Sequence, residues 1–160
     1  MKIARSTYET EPVADLPEAV VELVAAYNRL QTAMTDKPDC TVLGEGLRTV
    51  FSHSVPLSGK NGLQISPYEI GIATEAAPTG QLAVNTKKLR RALDDRADET
   101  NTLFNCEHNG LLPRSLRLVT EYKNRHTPAD EGRNVFWESV YPPLIRFMNE
   151  CRRTQAFWWL

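Results

Sequence analysis

Cys106-Glu107-His108 is the most compact run of metal-ligating residue types in the chain. A thiolate and an imidazole two positions apart supply at most half of a tetrahedral site, so folding would have to deliver His126 or Cys151 as well. The three cysteines, Cys40, Cys106 and Cys151, are widely spaced and form no disulfide framework. The less demanding reading is a polar loop ahead of a helix, with no metal. Ser58-Gly59-Lys60-Asn61-Gly62 carries the Gly-Lys pair of a phosphate loop. It lacks both the earlier glycine and the following Ser or Thr that would reach Mg²⁺, so it reads as a surface loop. No nucleophile elbow, dinucleotide glycine motif or paired-acid motif is present. The expectation is a chain without catalytic, cofactor-binding or metal residues.

Arg48 and His53 stand at the Arg-x4-His spacing of certain helical ribonucleases. Thirteen arginines and three histidines in 160 residues make one such spacing ordinary. The formal net charge of -1 gives no overall pull towards nucleic acid or an anionic membrane, and no recognisable nucleic-acid module appears. Charge is unevenly placed, however. Residues 1–40 hold four Lys/Arg against seven Asp/Glu, whereas residues 111–160 hold eight against five. That polarity suits head-to-tail contacts between copies, or is an uneven scatter of solvated charge. Hydrophobic residues make up 41% and charged residues 24%, which fits a globular chain able to bury a core. No apolar run approaches 18 residues, and no positive-then-apolar leader opens the chain. The expectation is synthesis in the cytoplasm.

The stretch 70–104 organises the rest. Ile70 and Ile72 alternate with Gly71 and Ala73, as in a half-buried strand. Ala77-Pro78-Thr79-Gly80 is turn chemistry, and Leu82 and Val84 then share one face of a second strand. Asn85 or Thr86 can cap a helix bearing Leu89, Ala92 and Leu93. Its basic residues, 87–91, precede its acids, 94–99, against the helix dipole; Arg90–Asp94 and Arg91–Asp95 are the expected compensating pairs. Upstream, Thr7, Tyr8 and Val13 suit a short strand. Asp15 and Glu18 have capping-box spacing for a first helix. Leu16, Val20, Leu23, Tyr27, Leu30 and Met34 then form a heptad stripe, suited to a partner helix in this chain or in another copy. Asp36-Lys37-Pro38 stops it. A second helix is expected over 41–53, with Leu43, Leu47, Val50 and Phe51 on one face and Gly44 and Gly46 weakening it. Leu63-Gln64-Ile65 suits a short strand.

Downstream, 105–110 is a loop, and Pro113 sits in the first turn of a helix whose inner face is Leu112, Leu116, Val119 and Tyr122. Residues 127–132 read as a linker. Phe136, Val140, Leu144, Phe147 and Cys151 share a face, but Pro142-Pro143 should kink or break that helix. Phe157-Trp158-Trp159-Leu160 should dock, on this core or on another subunit. The fold class expected is an α-rich α+β chain: a small helical bundle with a β-hairpin packed on its side.

Taken in order, these segments resemble the C-terminal part of the flagellar hook-associated protein 2 family, the filament cap. Leu23-Val24-Ala25-Ala26-Tyr27-Asn28 is similar to that family's "FVxAYN" helix. Leu43-Gly44-Glu45-Gly46-Leu47-Arg48 resembles its "LxGDxxLR" helix in compressed form, with Glu45 near the usual Asp. Glu69-Ile70-Gly71-Ile72 is similar to its "LGI" strand. The run 80–89, with Ala92-Leu93, resembles "GxLxxDxxKLxxAL", with Asn85 at the Asp position. Leu103-Phe104, Gly110-Leu111-Leu112, Tyr122 and Gly132 extend the likeness, which covers residues 14–132.

The resemblance implies a leg-like domain over 1–132. Beyond it, 133–160 departs from the family's long polar coil as a proline-broken, aromatic-rich segment. It also implies a structural, non-enzymatic and oligomeric protein. Its partners would be itself or other flagellar axial proteins, with an export chaperone, and it would be exported without a cleaved signal peptide. The alternative is a small binding module or inhibitor acting on one protein partner. Nucleic acid and membrane are not expected as partners. The contact residues expected are Leu16, Val20, Leu23, Tyr27, Leu30 and Met34, with Phe157, Trp158, Trp159 and Leu160.

Overall fold

The apolar repeat that begins at Leu16 dictates the first element, a helix α1 spanning Leu16–Met34. The computed structural model describes residues 16–35, 37, 40–57, 62–75, 80–126 and 135–158. The sequence-based expectations for Thr7, Tyr8, Val13, Asp15, Asp36, Pro38 and the 127–132 linker lie outside them. In α1 the heptad stripe is buried from Val20 to Met34, with Leu16 half-buried, and Ala19, Val24, Ala26 and Gln31, which lie off it, are buried too. The helix is therefore covered on more than one side. One cover is α6, Val135–Phe157, which packs along α1 through Val140, Leu144, Phe147 and Cys151. The Tyr27 ring meets Phe147 edge-on at 6.0 Å and Phe51 at 4.9 Å.

The expected break at Pro142-Pro143 is absent: α6 runs through both prolines as one helix. The prolines remove the N–H donors that would bond to the carbonyls of residues 138 and 139, at about 3 kcal/mol for an interior proline. Against that stand Val140, Leu144, Phe147 and Cys151, all fully buried, the larger of which gain about 1.5–3 kcal/mol each. Packing on both sides of the prolines outweighs the lost bonds. The side chain of Phe136 lies outside the described residues. Among the described residues, one core cluster includes residues from Val20 to Cys151.

Helix α2, Thr41–Val50, buries Leu43, Leu47 and Val50, with Phe51 beside them. It ends three residues short of the expected 53, where Phe51 and Ser52 donate to the carbonyls of Leu47 and Thr49. Gly46 has a packing reason: a Cβ there would stand 3.3 Å from Leu118. The glycine's helix penalty of about 1 kcal/mol is exchanged for a close helix–helix approach. A two-stranded antiparallel pair follows, β1 (Val55–Pro56) with β2 (Gln64–Ile65). Only its second strand is expected from the sequence.

The strand expected from Ile70 starts at Ile72. Pro67–Ile70 is a 3₁₀ turn held by a capping box between Ser66 and Glu69. Gly71 then takes φ +99°, where a Cβ would lie 2.7 Å from the Asn85 carbonyl oxygen. Strand β3, Ile72–Thr74, pairs antiparallel with β4, Leu82–Val84, in the register Ile72↔Val84 and Thr74↔Leu82. Of the expected turn only Gly80, at φ +65°, is described. Asn85 caps α3, Thr86–Asp95, by accepting from the Lys88 N–H at 3.0 Å.

The single helix expected to carry both 87–91 and 94–99 is two, because Arg96 leaves helical geometry (φ -132°, ψ 47°) and α4 begins at Ala97 and ends at Asn105. Asp98 and Glu99 therefore sit in a first turn, where acids suit the dipole. Helix α5, Leu111–His126, buries Leu112, Val119 and Tyr122 as expected, with Leu111 and Ser115, and leaves Leu116 partly covered. The described chain is thus helix-rich with two small antiparallel sheets.

Leu89 is fully buried where α3 meets the core. Leu89→Ala should destabilise the fold by about 2–4 kcal/mol in urea titration. A loss below about 0.5 kcal/mol would show that α3 does not depend on this packing.

Candidate functional site

The residues expected to meet a partner lie mostly inside the chain. Val20, Leu23, Tyr27 and Leu30 are fully buried and Met34 nearly so, while Leu16 is half-buried. The heptad seam of α1 thus faces this chain's own α6 and α2 rather than an open surface. Trp158 is half-buried and packs on Phe104 with ring centroids 5.9 Å apart. Its Nε1 is buried and has no hydrogen-bond partner among the described residues. Phe157 is half-buried under the Arg153 guanidinium, 5.7 Å from its ring centroid. Trp159 and Leu160 lie outside the described residues.

The reactive residue types do not converge either. His108 and Glu107 are exposed, and the His108 carbonyl accepts from Arg117 Nη2 at 3.1 Å. Cys151 is fully buried in the core, where desolvation pushes its thiol far up, and the side chain of His126 lies outside the described residues. No three His, Cys, Asp or Glu side chains are arranged so that they could hold a metal ion among the described residues. His53 is exposed, whereas Arg48 turns inward towards Gln31 and Gly80.

What does converge is a buried polar cluster that the sequence reading missed. Tyr27 Oη donates to the Gly80 carbonyl at 3.4 Å and accepts from Gln31 Nε2 at 3.2 Å. Gln31 Nε2 also donates to the Gly44 carbonyl at 3.1 Å, and its Oε1 accepts from Arg48 Nη1 at 3.5 Å. One residue along, Asn28 Oδ1 accepts from the Leu82 N–H at 2.8 Å while Nδ2 donates to the Leu82 carbonyl at 3.0 Å. The Asn28 amide thereby occupies the outer edge of β4 as a third strand would. Gln81 Nε2 adds a bond to Thr32 Oγ1 at 2.8 Å. Polar residues 27, 28, 31 and 32, grouped on one side of the second half of α1, were the available signal. The partners of Tyr27, Asn28 and Thr32 lie about fifty positions away and those of Gln31 13 and 17 away, and no local pattern encodes these pairings.

Burial drives the Tyr27 hydroxyl up to about 12; the Gln31 bond and the Arg48 charge act in the opposite direction. The cluster holds no activated nucleophile. Its chemistry is positional: it fixes where the hairpin and α2 meet α1. Outside the core, neither Arg90–Asp94 nor Arg91–Asp95 closes to ion-pair distance, contrary to the sequence expectation. Arg96 instead bridges Glu99 at 2.6 Å and Glu69 at 3.3 Å. No family model, curated protein or solved structure matches the chain.

Asn28→Ala would leave both Leu82 backbone groups without their partner, so a loss of about 1–3 kcal/mol is expected in chemical denaturation. A loss under about 0.5 kcal/mol would show that the amide does not hold β4. The raised Tyr27 value also has a sign. The folded state keeps the proton where the unfolded chain has lost it, so stability is intact below pH 10 and falls as pH rises towards about 12. Tyr27→Phe should flatten that alkaline fall relative to wild type, and equal slopes would contradict the buried hydroxyl.

Proposed function

We propose that this chain is a structural, non-enzymatic assembly protein of the flagellar cap-leg type, a small helical bundle with the β3–β4 hairpin and α3 on its side. The observation that carries the reading is where the resembling segments meet. The Tyr27-Asn28 stretch, the run 80–85 and the Gly44–Arg48 stretch are far apart in sequence. Yet Tyr27 bonds to Gly80, Asn28 to Leu82, and Gln31 to Gly44 and Arg48. Three segments that resemble the family one by one are also one another's packing partners, which supports a shared arrangement over a coincidence of composition.

On this reading the chain joins other axial components, and its export is served by a chaperone. A second reading is a stand-alone binding module or inhibitor. It is favoured by α6, which covers the face of α1 that a coiled-coil partner would take. No helix among the described residues is long and apolar enough to cross a membrane.

Affinity purification of the tagged chain from its native cell, with chemical cross-linking and mass spectrometry, separates the two. The axial reading predicts recovery of flagellin, hook-junction proteins or an export chaperone. Recovery of one unrelated protein in fixed ratio would overturn it in favour of the binding module.

A further inference from the structure

Two surfaces of the chain carry an excess of opposite charge: Arg114 and Arg117 against Glu121 on one, and Asp94, Asp95, Asp98 and Glu99 against Arg96 on the other. The first is a groove of about 320 Å³ between α2 and α5. Its floor is Gly46, Val50 and Leu118, and Arg114 and Arg117 stand along it. Neither guanidinium meets a carboxylate among the described residues; Arg117 spends one N–H on the His108 carbonyl. Glu121, further along, is paired with Arg125 at 3.6 Å. Val42 lies one helical turn before Gly46 and is 82% exposed, which adds an apolar lip. The second surface is the elbow where α3 passes into α4. Asp94, Asp95 and Asp98 are exposed there, and their carboxylates meet no cation among the described residues. Three like charges within five residues repel one another unless an opposite surface covers them.

We propose that these surfaces belong together: the α3–α4 elbow of one copy docks into the α2–α5 groove of a second copy, with Asp94, Asp95 and Asp98 facing Arg114 and Arg117. The occupant is a second copy because the same chain carries both halves of the charge complement at a net charge of only -1. The two surfaces share no residue, so the contact is heterologous and head-to-tail, and each added copy leaves one groove and one elbow open. The inference rests on reading the chain as an assembly protein, and it names the surface by which copies join.

Sedimentation velocity of the full chain over a concentration and salt series tests it. Wild type should grow beyond a dimer with concentration at low ionic strength and dissociate as salt screens the charges. Arg114→Glu with Arg117→Glu, and separately Asp94→Lys with Asp95→Lys and Asp98→Lys, should each associate at least about a hundredfold more weakly. An equimolar mixture of the two variants should regain association beyond a dimer, because the Asp elbow of one meets the Arg groove of the other and the new Lys elbow meets the new Glu groove. That rescue also shows that both variants are folded; the milder Arg117→Gln and Asp94→Asn provide a second pair with smaller shifts in the same direction. A monomeric wild type, variants that associate like wild type, or a mixture that stays monomeric would each overturn the proposal. A monomeric wild type that still captures axial proteins would overturn this contact alone and leave the assembly reading standing.

Discussion

The Asn28 side chain spends its whole amide on one backbone residue, Leu82, and the rest of the structure depends on that bond pair. Helix α1 is covered on several sides at once, so each polar group it carries inward needs a defined partner. Asn28 finds one in the edge of β4, Tyr27 in the Gly80 carbonyl, and Gln31 in Tyr27, Gly44 and Arg48. These bonds set the height of the hairpin on the helix. The β3–β4 register then follows, and with it the Asn85 cap and the direction in which α3 leaves. A shift of one residue in β4 would turn Leu82 out of the core and break both Asn28 bonds together.

Local preference gives way to packing at several points, each for a physical reason. Gly44 and Gly46 are poor helix formers, yet both lie where α2 comes close to a neighbour, Gln31 on one side and Leu118 on the other. Pro142 and Pro143 remove two helical donors, yet fully buried residues on both sides hold α6 in one piece. Glu150 is a buried carboxylate placed between Arg146 and Arg153, each at 3.2 Å. In each case a penalty of one to a few kcal/mol is set against contacts that exist only in the assembled fold.

That same contrast marks how far the sequence can be read. Elements with a strong period or a cap were legible: α1 from its stripe, α3 from Asn85, the inner faces of α5 and α6 from their spacing. The hairpin was legible from alternation at 72 and 82–84. Features set by distant partners were not. Val55-Pro56 is a strand only because Gln64-Ile65 pairs with it. The 3₁₀ turn at 67–70 and the break at Arg96 depend on bonds among Ser66, Glu69, Arg96 and Glu99. The α1 stripe is legible as a seam, but its partner, a helix more than a hundred residues later in the same chain, is visible only in the fold. The polar cluster was the least legible, because Tyr27 and Asn28 look like ordinary helix residues until Gly80 and Leu82 are placed beside them.

Helix α1, the β3–β4 hairpin and α6 form one cooperative unit, joined at Asn28 and Leu82. Native-state amide hydrogen exchange measures it directly, since a separate subunit of the fold would open with its own, smaller free energy. The amides of Leu82 and Leu89 and those in the buried stretches of α1 and α6 should exchange with the same free energy, that of global unfolding. A hairpin and α3 that exchange together at distinctly lower free energy, while α1 and α6 remain protected, would contradict it.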